Sequence, residues 1–190
     1  MKTLEIKGTL RPIVGSKEAV LSRREGKIPC VLYGGTEQVH FLVDEPEFKN
    51  LIYTPHVYIV SLEVDGKKYN SILQDAQFHK VSDKIIHADF LQVYDNKAIT
   101  MAIPVKTEGV ALGVKGGGKQ VLKKRKLRVN ALPADMPDTI NINVEGLDVL
   151  QSIKIADIAT PKLRFLEPIN SDIVIINTTR AVAKDATPGK

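Results

Sequence analysis

Two short segments of the chain carry side chains suited to binding chemistry. The first contains Arg23, Arg24 and Tyr33, and the second contains His87 and Asp89. His87 and Asp89 are separated by one residue and would lie on one face of a strand, because strand side chains alternate. Arginines, a tyrosine, a histidine and a carboxylate together are typical of sites that bind phosphates, bases and ribose hydroxyls.

The pair of His87 and Asp89 also suits acid–base catalysis. No serine or cysteine nucleophile accompanies it in a recognisable motif, so we predict a binding protein and not an enzyme. The four histidines lack the spacing of metal-site motifs, and we predict neither a metal nor a cofactor. The single cysteine, Cys30, lies in an apolar run, which favours a buried and unreactive thiol.

A glycine-rich segment, residues 113–120, nearly matches a phosphate-binding P-loop. It has the G-x-x-x-x-G-K spacing, but Gln120 stands where the motif has a serine or threonine that holds magnesium. A P-loop must also open a helix, whereas residues 121–129 have the pattern of a strand. We therefore interpret the segment as a flexible loop tip between strands and not as a nucleotide site.

Composition favours a soluble globular protein. The 190 residues are 43% hydrophobic and 26% charged, enough for one large or two small domains. No apolar run approaches the length of a membrane span, and the charged N-terminus does not resemble a signal peptide. Together with the single cysteine, these features predict a protein of a reducing compartment, the cytoplasm, that does not bind a membrane.

Positive charge is concentrated in the second half of the chain. Residues 1–94 contain 12 basic and 12 acidic residues, so the net charge of +5 belongs to residues 95–190. Residues 115–128 contain seven basic side chains and no acid. This stretch is either a solvated edge that discourages aggregation or an arm that contacts phosphates, and the sequence leaves both open. On the second interpretation, the candidate RNA contacts are Lys119, Lys123, Lys124, Arg125 and Lys126.

Hydrophobic alternation and turn residues predict a mainly β fold with some α+β character. In the N-terminal half, strands are predicted at 3–10, 31–33, 39–43, 57–64, 67–77 and 85–93. Hairpin turns are predicted at Gly34-Gly35 and Asp65-Gly66. In the C-terminal half, strands are predicted at 98–106, 120–130, 139–144 and 172–178.

Two helices are predicted in the N-terminal half. The first, at 16–25, has Ser16 as its N-cap and the two arginines at its C-terminal end, where cations are favoured. The second, at 45–53, has a proline in its first turn. Residues 153–159 fit a helix or a strand equally well. A linker at 94–97 and a polar C-terminus divide the chain into two predicted domains, 1–94 and 95–180, and a disordered tail, 181–190.

The ordered set of motifs resembles the bacterial large-subunit ribosomal protein twenty-five family in its long two-domain form, often called the Ctc or general stress protein subfamily. The resemblance covers nearly the whole chain, and the combination is more specific than any single piece. In the N-terminal half it rests on residues 21–34, 74–79 and 87–90. In the C-terminal half it rests on residues 103–105, 108–117 and 132–138.

The resemblance implies a structural constituent of the large (50S) ribosomal subunit, without enzymatic activity, that binds 5S rRNA in the central protuberance region. The N-terminal domain of this family is a small β-barrel with a few helices, similar to the anticodon-binding domain of glutaminyl-tRNA synthetase. It docks on an irregular loop of 5S rRNA where the minor groove is widened, and the second domain is mostly β. The implied partners are 5S rRNA, neighbouring rRNA and ribosomal proteins, with the free protein a monomer in the cytoplasm.

The family's RNA-contacting residues fall on a short set of positions in this chain: Arg23, Arg24, Tyr33, His87 and Asp89. The first helix departs from the family pattern. Glu18 and Val20 stand where some members have a lysine and a serine or threonine, and Lys17 is the nearest replacement for the lysine. An alternative function is that of a stress-induced RNA-binding protein that associates with ribosomes only conditionally.

Overall fold

Strands dominate the computed structural model, which describes residues 2–179. The described residues separate into two units, residues 2–99 with 132–134 and residues 100–131 with 135–179. The prediction of a mainly β fold, with a small N-terminal barrel and a second β domain, is confirmed. The predicted tail, 181–190, lies outside the described residues, and the domain ranges 1–94 and 95–180 stay predictions.

The first unit is built on a closed six-stranded barrel. Its strands are β1 (Lys2–Leu10), β2 (Lys27–Tyr33), β3 (Val39–Asp44), β4 (Tyr58–Val64), β5 (Lys67–Phe78) and β6 (Ile85–Gln92). They follow the order β1-β3-β2-β6-β5-β4, and parallel pairing of β1 with β4 closes the barrel. The β2 and β6 strands are also parallel neighbours, while the other pairs are antiparallel.

Three phenylalanines fill the centre of the barrel. Phe41 and Phe48 each pack against Phe90, with ring centroids 5.7 Å and 6.2 Å apart in tilted arrangements. Phe48 ends a 3-10 turn, Glu45–Phe48, that leads into the short helix α2 (Lys49–Ile52). The predicted helix at 45–53 is therefore present, with its first turn wound more tightly.

The turn between β4 and β5 matches its prediction. Asp65 and Gly66 both have positive φ, 48° and 80°, and Val64 pairs directly with Lys67. This is the geometry of a two-residue hairpin of the kind that favours Asp-Gly, because its twist matches that of the strands. A one-residue slip in this hairpin would expose the apolar face of β4, so the turn also sets the register.

The first helix, α1 (Ser16–Arg24), is present at the predicted position and ends one residue earlier than predicted. Gly15 is the N-cap residue, and its carbonyl accepts the first helical hydrogen bond from the N–H of Ala19 at 3.1 Å. Ser16 is the first helical residue and makes no side-chain cap, so its prediction as N-cap is wrong. The two arginines do occupy the last turn, and Gly26 follows with φ 78°.

The second unit contains two sheets. Its strands are β7 (Ile99–Glu108), β8 (Lys119–Leu122), β9 (Lys126–Ala131), β10 (Ile140–Asn143), β11 (Ser152–Lys154), β12 (Arg164–Phe165) and β13 (Asp172–Asn177). A four-stranded sheet has the order β10-β7-β9-β12, and a three-stranded sheet has the order β11-β13-β8. The unit also contains the short helices α3 (Leu112–Lys115) and α4 (Ile155–Ile158), and a 3-10 turn, Pro133–Asp135, follows β9 along the chain.

The single strand predicted at 120–130 is wrong, because two strands in different sheets occupy this range. The β8 strand pairs with β13, whereas β9 belongs to the four-stranded sheet. Between them the chain changes sheet, with Lys123 N–H bonded to the carbonyl of Ile173 and the carbonyl of Arg125 accepting from Val105. Residues 153–159 contain both predicted alternatives in turn, the end of strand β11 and then helix α4.

Candidate nucleic-acid interface

The candidate residues of the barrel lie on its outer face, on the neighbouring strands β2 and β6. Along β2, Cys30 and Leu32 point into the core, so Tyr33 points outward. Along β6, Ala88 and Phe90 are fully buried, so His87 and Asp89 point outward too. In the parallel register Val31 pairs with Asp89 and Tyr33 with Leu91, which puts Tyr33 diagonally next to Asp89.

His87 and Asp89 are in direct contact. The Nδ1 atom of His87 lies 2.7 Å from Oδ1 of Asp89, and each side chain is 29% exposed. The same Oδ1 is a buried atom without a well-aligned hydrogen bond in the described part of the chain. The contact is therefore a close electrostatic one, and it leaves Nε2 of the imidazole as the nitrogen available to a ligand.

Two residues of β5 extend this surface, and sequence reasoning did not assign them to the site. In the β5–β6 register, Asp75 lies directly opposite Asp89, and Gln77 lies directly opposite His87. Directly opposite residues of an antiparallel pair share one face of the sheet. We refer to Tyr33, Asp75, Gln77, His87 and Asp89 as the polar strip.

Asp75 and Gln77 had a signal in the sequence, since both fall within the family-like segment 74–79. Their position depends on a bulge that shifts the β5–β6 register between Leu73 and Asp75. It also depends on the loop after β5, where Nδ1 of His79 accepts hydrogen bonds from the N–H groups of Val81 and Ser82. Neither the bulge nor this loop closure is visible in a hydrophobic pattern.

The two carboxylates of the polar strip act on Tyr33. The pKa of Tyr33 is raised above its ordinary value of 10.0, first by partial burial and then by the negative charges of Asp89 and Asp75. The phenol, which is protonated at neutral pH even at its ordinary pKa, therefore keeps its proton further into the alkaline range. A protonated hydroxyl is a hydrogen-bond donor, suited to a phosphate or ribose oxygen.

The C-terminal end of α1 is tied to the strand that carries His87. Nε of Arg23 donates a hydrogen bond of 2.9 Å to the carbonyl of Ile86, the residue directly before His87. Arg24 is exposed, and no hydrogen bond or ion pair of its side chain occurs within residues 2–179. Lys17 is exposed in the first turn, about two helical turns from Arg24 and so on a similar face.

The second set of candidate cations does not form one free surface. Nζ of Lys123 is 2.8 Å from a carboxylate oxygen of Asp172, and Lys124 forms an ion pair with Glu167. The pKa of Asp172 is lowered, because Lys123 and Ser152 donate hydrogen bonds to its carboxylate. Lys119, Arg125 and Lys126 are exposed, but Lys119 lies on β8 and Lys126 on β9, in different sheets.

The glycine-rich segment uses its amides internally. The N–H groups of Gly116, Gly117 and Gly118 donate to the carbonyls of Leu112, Val114 and Gly113 at 2.7–3.0 Å. A phosphate-binding loop needs such groups free and pointing at the ligand. The expected loop tip between strands is thus a bonded turn that follows helix α3, and it offers no cradle for a nucleotide.

The described part of the chain contains no group of three or more His, Cys, Asp or Glu side chains placed to hold a metal ion. None of the helices within residues 2–179 is both long enough and apolar enough to cross a membrane.

Comparison with protein families gives two matches that together span most of the chain. Residues 6–90 match the Ribosomal L25p family, and residues 98–180 match the family of the ribosomal protein TL5, C-terminal domain. The first match contains the barrel residues of the polar strip, and the second contains both sheets of the second unit.

Curated relatives align with this chain over most of their length. The large ribosomal subunit protein bL25 of Bacteroides fragilis is 44% identical over 186 residues, covering 95% of each chain. Its counterpart from Phocaeicola vulgatus is 40% identical over 198 residues, covering 100% of each chain. The bL25 protein of Christiangramia forsetii is 43% identical over 182 residues, covering 95% of this chain and 83% of the relative.

Proposed function

Because this chain belongs to the bL25 family of large ribosomal subunit proteins, we propose that it binds 5S rRNA through the polar strip and the C-terminal end of α1. As a family member it is a structural, non-enzymatic protein of the large ribosomal subunit, located with the ribosome in the cytoplasm. The proposal further assigns it to the central protuberance region, with neighbouring rRNA and ribosomal proteins as partners. The free protein is proposed to be a monomer.

One observation carries the proposal: Tyr33, His87 and Asp89 share an outward face of the barrel, beside the helix end that Arg23 anchors. This face combines a neutral donor, an imidazole and acceptors within one short strip. Duplex RNA hides its base edges in a deep major groove, so proteins bind its shallow minor groove, 2′-hydroxyls and irregular loops. The mixture of donors and acceptors on the polar strip suits such a surface.

The side chains divide into positioning and discriminating roles. Arg24 and Lys17 are exposed cations that contact phosphates, which fixes orientation without reading sequence. Arg23 holds the helix end against β6 through Ile86. Asp89 accepts hydrogen bonds from base N–H groups or a 2′-hydroxyl. Nε2 of His87 accepts a further hydrogen bond when Nδ1 carries the ring proton beside Asp89. Because Asp75 adds a second negative charge opposite Asp89, a bare phosphate is disfavoured at this point.

The proposal is tested by titrating the full chain with 5S rRNA and with tRNA at several salt concentrations. Asp89→Asn removes the charge but keeps the size of the side chain. We expect the preference for 5S rRNA over tRNA to fall about 10- to 100-fold, because a hydrogen bond to a charged group contributes about 1.5–3 kcal/mol.

The matched control is Asp44→Asn. Asp44 is an exposed carboxylate of the same barrel, paired in register with Lys27 at the end of β2 away from Tyr33. It should leave the preference unchanged. Equal affinity of the parent protein for the two RNAs, or an unchanged preference in Asp89→Asn, would show that the polar strip does not recognise 5S rRNA.

A further inference from the structure

We propose that the outer face of the four-stranded sheet in the second unit is a separate RNA-binding surface, which holds sugar–phosphate backbone without reading bases. Its cations are Lys106, Lys126, Arg128 and Arg164, named here the basic sheet face. The inference rests on the proposed function only in assuming that the RNA is ribosomal. It concerns residues of a different unit from the polar strip.

Strand alternation directs these cations to one side of the sheet. Along β9, Leu127, Val129 and Ala131 are buried, so Lys126 and Arg128 point to the opposite side. On the neighbouring strand β7, Ile103 and Val105 are buried and Lys106 is exposed; Pro104 interrupts the alternation, because it is buried as well.

Cross-strand pairing continues the face over all four strands. Arg164 of β12 lies directly opposite Asn130 of β9. The side-chain amide of Asn130 donates to the hydroxyl of Thr100 on β7 at 3.0 Å, which places these two polar groups side by side. At the other edge, Asn141 of β10 pairs with Lys106. The face therefore carries cations separated by short amide and hydroxyl side chains.

The four cations are electrostatically available. None of them has an ion pair or side-chain hydrogen bond within residues 2–179, in contrast to Lys123 and Lys124, which are paired with carboxylates. The acid that borders the face is Glu108, at the last position of β7 and opposite Asn143. The centre of the face is therefore positively charged.

Protection of sheet edges does not account for this arrangement. Lysines commonly guard an exposed edge strand against pairing with another chain. In the order β10-β7-β9-β12, however, Lys106, Lys126 and Arg128 lie on the two inner strands, which already have neighbours on both sides. Cations there protect no edge, and their mutual repulsion costs stability in the free protein.

The chemistry of the face fits a phosphate backbone. Arginine binds phosphate oxygens through a planar fork, and lysine binds them as a compact charge. The amides of Asn130 and Asn141 suit ribose hydroxyls and phosphate oxygens. The four strands of the sheet contain one aromatic residue, Phe165 of β12, and it pairs with the inward-facing Val129. The basic sheet face therefore has no aromatic ring on which a base could stack. We therefore expect the basic sheet face to contact the RNA backbone and to discriminate little between RNA sequences.

The test compares two full-length variants that lose the same charge. In the first, the four cations of the basic sheet face are replaced by glutamine: Lys106→Gln, Lys126→Gln, Arg128→Gln and Arg164→Gln. In the second, four exposed lysines outside the face are replaced: Lys68→Gln, Lys115→Gln, Lys154→Gln and Lys162→Gln. Circular dichroism checks that both are folded.

The probe is a blunt duplex RNA without the irregular loop of 5S rRNA, titrated at several salt concentrations. We expect the face variant to bind at least tenfold more weakly at low salt. The slope of log affinity against log salt should also fall by about 3, because each neutralised phosphate contributes about 0.7–0.9. The control variant should keep most of the affinity and slope.

Three results would overturn the proposal: unchanged duplex binding by the face variant, an equal loss in both variants, or tighter binding of the parent protein to vesicles of phosphatidylserine and phosphatidylcholine than to the duplex. The face variant separates this inference from the proposed function, because it should lose duplex binding and keep the preference for 5S rRNA over tRNA. If the parent protein shows no preference for 5S rRNA but the face variant still loses duplex binding, the proposed role of the polar strip is rejected and the basic sheet face stands.

Discussion

At the scale of single residues, the notable feature of the polar strip is that two carboxylates face each other across β5 and β6. Like charges directly opposite on a sheet destabilise it, so this arrangement is unfavourable for the fold taken alone. After partial burial, the charges of Asp89 and Asp75 further raise the pKa of Tyr33. A site that holds a neutral donor beside fixed acceptors is adapted to a polar, partly neutral ligand surface such as a ribose edge.

The coupling between these residues is measurable as a pKa. Asp75→Asn should lower the pKa of Tyr33 part of the way towards 10.0, because it removes the smallest of the three causes and leaves burial and Asp89 in place. NMR titration of the tyrosine rings, with Tyr33→Phe for assignment, gives the value. An unchanged pKa in Asp75→Asn would mean that the two side chains do not interact.

The same shift makes stability depend on alkaline pH. The native state holds the proton of Tyr33 more tightly than the unfolded chain, so this contribution is fully present below pH 10.0 and is lost as pH rises through the native pKa. When the pH rises from neutral into this alkaline range, Tyr33→Phe should therefore lose less of its free energy of unfolding than the parent protein loses.

At the scale of elements, the glycine-rich segment is a packing device. A Cβ on Gly113 would lie 2.6 Å from the backbone N of Val149 and 2.8 Å from the carbonyl carbon of Asp148. Backbone atoms cannot move aside as a flexible side chain can. Glycine at this position therefore allows α3 to approach the 148–149 segment closely, which explains it without a phosphate ligand.

Gly113→Ala should destabilise the second unit by about 1–3 kcal/mol, the range typical of overpacked positions. Gly116→Ala is the matched control: its Cβ would meet nothing closer than 3.6 Å, and its φ of −80° suits alanine. The free energies of unfolding from urea titrations compare the two. Equal stability of both variants would show that the backbone approach at Gly113 is not a constraint.

The sequence predicts those elements whose structure depends on residues close together in the chain. Asp65-Gly66 and the alternation of β4 and β5 are sufficient for that hairpin. The division of 120–130 into β8 and β9 depends instead on pairing with distant strands, and the basic run between them has no periodicity to mark it. The site follows the same rule: spacing predicts the common face of His87 and Asp89, whereas placing Asp75 opposite Asp89 requires the bulge in β5.

At the scale of the whole molecule, the chain provides one natural reporter of barrel opening. Cys30 is its single cysteine, 2% exposed between the strands of the core, and burial raises the pKa of its thiol well above the ordinary value. A protonated thiol without access to solvent does not react. Labelling by a thiol reagent therefore reports how often the barrel opens.

Phe90→Ala removes a ring that packs against two others and should cost about 3–5 kcal/mol. Labelling of Cys30 is then expected to be at least 100-fold faster, since about 1.4 kcal/mol is a factor of ten. Ile103→Val, a core change in the second unit, should leave the rate unchanged if the two units unfold independently. An equal acceleration by both variants would mean that the chain unfolds as one cooperative body.

The parallel pairing of β2 with β6 has a consequence for the protein during its synthesis. Tyr33 leaves the ribosome early, but its partners on β6 follow only after three further strands have been made. Contacts between distant parts of a chain form slowly, because a long loop must close first. The nascent chain therefore passes through a stage with a β1–β3–β2 edge open and no binding surface for RNA. Tyr33 of β2 joins the other residues of the polar strip only when β6 pairs with β2. Binding to RNA is therefore coupled to completion of the barrel.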